Sequence, residues 1–177
     1  MSELGIIKIN QHRLVFNNQL VHAALSECDD CVQALIKQRI KPIIVIHAST
    51  EGTCHRTVAC ATALIGQTRV IAHWASRLSA AGLTSAQLMI EPPGRNGKDG
   101  LMQPLQTLQA LTALGVVPLV IHNKLTWSNE QTCPFQQDVA GTIAELLNAS
   151  IVEPLSDNTW KKPLLNSSIP PPETCAI

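Results

Sequence analysis

Lys8 stands in the middle of an otherwise apolar run, Leu4-Gly-Ile-Ile-Lys8-Ile-Asn10. A lysine inside a buried strand is costly unless it reaches a partner or water. It reads either as a lysine that contacts a phosphate group, or as one that lies on an edge strand or snorkels to solvent. A second stretch able to do chemistry spans residues 115–158. There Asn123 emerges at the end of the apolar run Val116-Val-Pro-Leu-Val-Ile121, and Asp138 opens the helical pattern Val139, Ile143, Leu146, Leu147. Open α/β sheets bind ligands where strand ends meet helix starts, so chemistry is expected near Asn123 and Asp138. A carboxylate at a helix start is also a common cap, and capping alone would explain Asp138. A third stretch is Ala48-Ser49-Thr50-Glu51-Gly52, small and polar, which follows the β-branched run 42–47. A helix after it would turn backbone N–H groups toward an anion, although many strand-to-helix loops of this kind bind nothing.

The thiols and imidazoles point elsewhere. Cys28-Asp-Asp-Cys31 has metal or redox spacing, but no second pair at similar spacing completes a four-ligand zinc set. Two thiols on a helix around residues 20–39 is the simpler reading. His47, His55 and His122 fall at strand ends or just beyond, where a metal or oxyanion site is conceivable, but their spacing does not demand one and no metal is expected.

The elements that must position these residues follow from periodicity. Residues 20–39 repeat as a helix through Leu20, Ala24, Val32, Leu35 and Ile36, with Pro42 ending it. Residues 56–81 form the longest helical pattern, with Leu64, Ile71, Ala75 and Leu78 on one face, Gly82 closing it and Gly66 marking a close approach or a break. His73 falls within this helix and reads as a packed or surface histidine. Strand 86–90 leads to the turn-rich loop 92–100, then to a helix with Pro104 in its first turn and Leu105, Leu108, Leu111 and Leu114 along it, closed by Gly115. Pro118 within the next apolar run costs a ladder bond unless it lies at an edge or bulge. The last strand is Ser150-Ile-Val-Glu-Pro-Leu-Ser156. Residues 161–177 are proline-rich and read as an extended arm. The charge is balanced, 13 basic against 13 acidic, and aromatics are 3% of the chain, which disfavours nucleic acid as a partner. No apolar run is long enough to span a membrane and the first residues lack a signal-peptide pattern, so a cytoplasmic protein with reduced thiols is expected.

Strands alternating with helices give a doubly wound, mainly parallel sheet in an α/β/α sandwich. The residues along it resemble the amino acid kinase superfamily, which includes glutamate 5-kinase, acetylglutamate kinase and uridylate kinase. Ile7-Lys8-Ile9 resembles the first-strand lysine motif. Residues 63–69, 78–88 and 105–120 look like glutamate 5-kinase. Pro134-Phe-Gln-Gln-Asp138-Val-Ala-Gly resembles a uridylate kinase segment, and Leu155-Ser156-Asp157-Asn158-Thr-Trp160 resembles the family's Leu-Thr-Asp motif. The likeness covers residues 1–160.

The resemblance implies a three-layer sandwich whose N-terminal lobe binds the phosphoryl acceptor, a small acidic metabolite, and whose C-terminal lobe binds ATP and Mg2+. By matched position, Lys8 would stabilise the transferred phosphoryl group and Asp138 would hold catalytic lysines. Ser49, Thr50, Gly52 and Asn123 would border the acceptor, and Ser156 and Asp157 the nucleotide. The resemblance also implies a homo-oligomer, or a partner subunit that completes the site. The departures are specific. The family's glycines after the first two strands are replaced by Lys8-Ile-Asn-Gln and by His47-Ala-Ser-Thr-Glu51-Gly52. Glu51 would bring negative charge toward a negative ligand, which at about 4 Å and an effective dielectric near 20 costs roughly 4 kcal/mol. The family continues past the Leu-Thr-Asp motif into its nucleotide lobe, where this sequence turns to the proline-rich segment. The expectation is a kinase-like acceptor lobe with weak or no ATP turnover; the alternative is a non-catalytic metabolite-binding or assembly subunit.

Overall fold

A computed structural model describes residues 3–16, 19–48, 56–90, 101–123 and 138–154, with the backbone alone at 48, 56–60, 122 and 123. Among the described residues, twelve elements run in the order β1 Leu4–Asn10, α1 Gln11–Leu14, β2 Val15–Phe16, β3 Gln19–Leu20, α2 His22–Lys37, β4 Lys41–Ala48, α3 Arg56–Ala80, β5 Ser85–Ile90, α4 Met102–Ala113, β6 Val117–Asn123, α5 Val139–Leu147 and β7 Ser150–Val152. Five strands form one sheet in the order β5-β6-β4-β1-β7, and every pairing in it is parallel. The short pair β2–β3 is antiparallel and stands apart.

Alternation along the strands explains the layers. Ile7, Ile9, Ile44, Ile46, Leu119 and Ile121 point to one face, where they pack on Leu25, Val32 and Leu35 of α2 and on Val70, Trp74 and Leu78 of α3. Ile6, Ile43, Val45 and Val120 point to the other face, onto Leu105 and Leu108 of α4 and Val139 and Ile143 of α5. The near-continuous β-branched runs expected for strands covered on both sides are therefore central strands of an α/β/α sandwich.

The chain path fixes which helix covers which face. From β1 to β4 to β5 the chain moves toward one edge; from β5 to β6 to β7 it moves back toward the other. Parallel crossovers are right-handed, so the reversal puts α2 and α3 on one side and α4 and α5 on the other. At the carboxyl ends of the neighbouring strands β4 and β6, the chain therefore departs to opposite faces. That is the switch point where open α/β sheets form their ligand crevice.

Several local expectations change. α2 stops at Lys37, well before Pro42, because Arg39 takes a left-handed turn at φ 62°. Pro42 lies inside β4 instead. Both strand prolines sit where one side of the strand lacks a neighbour: β4 meets β6 only from Ile44, and β6 meets β4 only from Leu119, after Pro118. Gly66 is a close approach and not a break. α3 runs through it, and a Cβ there would lie 3.1 Å from Gln11 Nε2 and 3.2 Å from Val15 Cγ1. The buried face of α3 is Gln67, Val70, Trp74 and Leu78, while Leu64 is exposed. α1 and the β2–β3 pair, which precede α2, have too few residues to show a period. The loop 92–100 and the segment 161–177 lie outside the described residues.

Candidate functional site

Lys8 shares its strand face with Ile6 and so points toward the α5 side of the sheet. β1 lies between β4 and β7 and is not an edge strand, although β7 pairs only with Gly5–Ile7 and stops one residue short of Lys8. Two carboxylates meet its ammonium. Lys8 Nζ donates to Asp138 Oδ2 at 2.9 Å and lies 3.0 Å from Glu153 Oε1. Each partner arrives by a different element. Asp138 immediately precedes α5, and Glu153 follows β7, whose Val152 is in register with Ile7.

Asp138 stands at the N-cap of α5 without a well-formed cap hydrogen bond, yet the Gly141 N–H of the first turn acts on its carboxylate, so the cap position explains part of it. The carboxylate also reaches Lys8 while lying over that turn, where a Cβ on Gly141 would be 3.2 Å from Asp138 Oδ2. Burial pushes the Asp138 carboxyl up, but the Lys8 hydrogen bond, the Gly141 N–H and the charges of Lys8 and His47 outweigh it and hold the group below its ordinary value. Burial likewise pulls Lys8 down, and its two carboxylate partners hold it above its ordinary value. The pair is therefore ionised at neutral pH from both sides.

The carboxyl ends of β1, β4 and β6 lie just beyond Lys8. Parallel register places Asn10, His47 and His122 in one row across β1, β4 and β6, with Asn123 opposite Ala48 one residue further on. Of the residues singled out from sequence, Lys8 and Asp138 are brought together, and the backbone of Asn123 stands at the switch point. Ser49, Thr50, Gly52, Ser156 and Asp157 lie outside the described residues. Glu153 was missed: the sequence shows it inside an apolar strand pattern, but its meeting with Lys8 depends on β7 pairing with β1. Among the described residues, no three His, Cys, Asp or Glu side chains gather as a metal site. Cys28 and Cys31 are free and buried on the core side of α2. Burial raises both thiols, Cys31 to about 11, with neighbouring acidic groups adding to the effect. They are core side chains, as the simpler reading had it.

A parallel sheet whose neighbouring strands β4 and β6 lead to opposite faces, with a lysine held by carboxylates on β1, defines a class: an α/β protein with a topological switch point. Known proteins place the chain more narrowly. No family model matches it. It is 32% identical over 97 residues to a glutamate 5-kinase of Cutibacterium acnes (55% of this chain, 25% of that protein). It is 27% identical over 97 residues to the glutamate 5-kinase of Pseudomonas paraeruginosa, covering 55% of this chain and 26% of that one. These matches span about a quarter of the curated relatives' length. Among solved structures, an isopentenyl phosphate kinase of T. acidophilum superposes with a TM-score of 0.45 at 12% identity, over 68% of this chain and 57% of the other. The resemblance to the amino acid kinase superfamily is thus matched, over 97 residues, by similarity to part of glutamate 5-kinases.

Proposed function

We propose that the chain is an amino acid kinase-like module that binds a small acidic metabolite at the mouth of β1, β4 and β6, with weak or no ATP turnover. The observation that carries this reading is Lys8, a strand lysine beside the switch point, held by Asp138 at 2.9 Å. Phosphoryl transfer is catalysed mainly by positioning and charge neutralisation, and a fixed ammonium supplies both. In this reading Lys8 faces the transferred group and Asp138 orients Lys8. Asn123, Ser49, Thr50 and Gly52 border the acceptor, and Ser156 and Asp157 stand toward the nucleotide. ATP with Mg2+ would supply the phosphoryl group. The Lys8 ammonium, and not a metal, takes up the two carboxylates. The reading includes a cytoplasmic setting and a homo-oligomer or a partner subunit; among the described residues, no helix is long and apolar enough to cross a membrane.

A non-catalytic metabolite-binding or assembly subunit is the second reading, favoured by one observation: Glu153 takes up Lys8 a second time, at 3.0 Å. Thermal stability with and without millimolar Mg-ATP tests the first. A ligand at a hundred times its dissociation constant adds about 2.7 kcal/mol, a shift of several degrees. A shift accompanied by slow ADP release that disappears in Lys8→Ala supports the kinase-like reading. No shift supports the non-catalytic one. Fast ADP release that depends on Lys8 overturns the claim of weak turnover.

A further inference from the structure

α2 and α3 cover the face of the sheet opposite Lys8, and a pocket of about 180 Å3 opens between them. The site proposed at the strand ends makes no use of it. Pockets for drug-sized molecules begin at roughly 300 Å3, so this one suits a smaller occupant. Its floor is apolar, since Val32, Trp74 and Leu78 are each 2% exposed or less. Its rim is polar. Asp29 arrives on α2 and Arg77 on α3, and Arg77 Nε donates to Asp29 Oδ2 at 2.8 Å. That bond uses one of five guanidinium N–H groups. The other carboxylate oxygen, Oδ1, lies 3.6 Å from His73 Nε2, beyond hydrogen-bond length. A molecule at this rim therefore meets donors and an acceptor side by side. Trp74 adds a further donor, because its Nε1–H is buried without a hydrogen-bond partner. Such unmet groups are rare in native proteins.

We propose that this pocket is a second ligand site, separate from the strand ends, for a small uncharged molecule with a short apolar body and an amide group. An anion seated here would lie beside Asp29, and a cation beside Arg77. An amide meets neither penalty: its carbonyl oxygen accepts from Arg77 and its N–H donates to Asp29. The carbonyl oxygen has two lone pairs, enough for Arg77 and for the unmet indole N–H. The apolar body covers Val32 and Leu78, and its removal from water favours binding. Nothing in this inference rests on Lys8.

The test titrates isobutyramide into the whole chain and follows the indole N–H signal of Trp74 by NMR. The chain has three tryptophans, and the Trp74 signal is the one lost in Trp74→Phe. Isobutyramide is expected to shift it saturably, with half-saturation on the order of millimolar, as suits so small a molecule. Isobutyrate and isobutylamine, at the same ionic strength, are expected to bind at least about tenfold more weakly, because each brings a charge next to a like one. Arg77→Ala is expected to weaken isobutyramide at least about fivefold through the lost charged donor. Lys8→Ala is expected to leave its binding unchanged. No saturable shift overturns the proposal, and so does equal binding of isobutyrate or isobutylamine. Unchanged binding in Arg77→Ala, or its loss in Lys8→Ala, also overturns it. Should Arg77→Ala fail to fold, Ala80→Leu decides. Ala80 is an exposed residue lining the pocket, and a leucine there fills the space. Isobutyramide binding is expected to vanish in that variant, and binding that survives it overturns the site.

Discussion

Asp138 stands at the N-cap of α5, and its carboxylate is shared between the Gly141 N–H of the first turn and the Lys8 ammonium. The pH dependence of stability should show this. Asp138 is held below its ordinary 3.8, so its contribution is present above that value and is lost as pH falls through its lower folded value. Lys8 is held above its ordinary 10.5, so its contribution is present below that value and is lost as pH rises through its higher folded value. Melting temperatures of the protein and of Asp138→Asn should therefore differ by a constant amount across neutral pH and converge in acid. The difference should be small, about 1 kcal/mol or less, because Asp138 is half exposed and solvent screens the pair. A gap that persists at a pH where the carboxylate is protonated would refute the ion-pair account. Lys8 and Asp138 were both legible as residues, since a charge in an apolar run and a carboxylate before a helix are local signals. Their contact spans 130 positions and has no local signal. Glu153 shows the same limit more sharply, because it reaches Lys8 only through the pairing of β7 with β1.

The packing of α2 against α3 shows why periodicity misplaced a helix face. Counting apolar residues put Leu64, Ile71, Ala75 and Leu78 inward, yet the buried line runs through Gln67, Val70, Trp74 and Leu78. A long helix of modest amphipathicity offers more than one apolar stripe, and tertiary contacts choose between them. Trp74 is among the largest fully buried side chains, and His73 meets it edge-on with ring centroids 5.6 Å apart. On the other helix, Asp29 accepts from Arg77 Nε at 2.8 Å and lies 3.6 Å from His73 Nε2. Trp74→Ala should cost about 3–5 kcal/mol in denaturant unfolding, the range for deleting a large core aromatic. Trp74→Phe should cost distinctly less, since the indole N–H it removes has no hydrogen-bond partner and only part of the volume is lost. Arg77→Ala should cost no more than about 1 kcal/mol, because that side chain is 57% exposed. Equal losses for the alanine and phenylalanine variants of Trp74 would show that the N–H, not the volume, matters. The same interface fixes the thiols. With burial raising both Cys28 and Cys31, neither should take up iodoacetamide at pH 8 while the protein is folded, and both should react once it is unfolded. Peptide mapping by mass spectrometry separates them from the other four cysteines of the chain.

At the scale of the molecule, one feature of the chain path locates the site: the reversal of direction after β5. The alternation of strands and helices predicted a parallel doubly wound sheet, but not its order, because each crossover can step over a strand without leaving a mark on local sequence. Once the order β5-β6-β4-β1-β7 is known, the neighbours β4 and β6 part to opposite faces, and the row Asn10, His47, His122 falls at their mouth. The neighbouring edge has no such divergence, since β5 and β6 both lead to the α4–α5 face. A ligand seated by this geometry must touch the carboxyl ends of β1, β4 and β6 and the start of α5. It must leave the amino ends of those strands, and all of β5, in their unliganded state. Hydrogen exchange measured with saturating glutamate, or with another small acidic metabolite that raises the melting temperature, should therefore slow the amides around Asn10, His47, Asn123 and Val139–Gly141. It should leave those of Ser85–Ile90 unchanged. Slowing confined to the α2–α3 face, opposite Lys8, would place the ligand on the wrong side of the sheet and remove the switch point from the account.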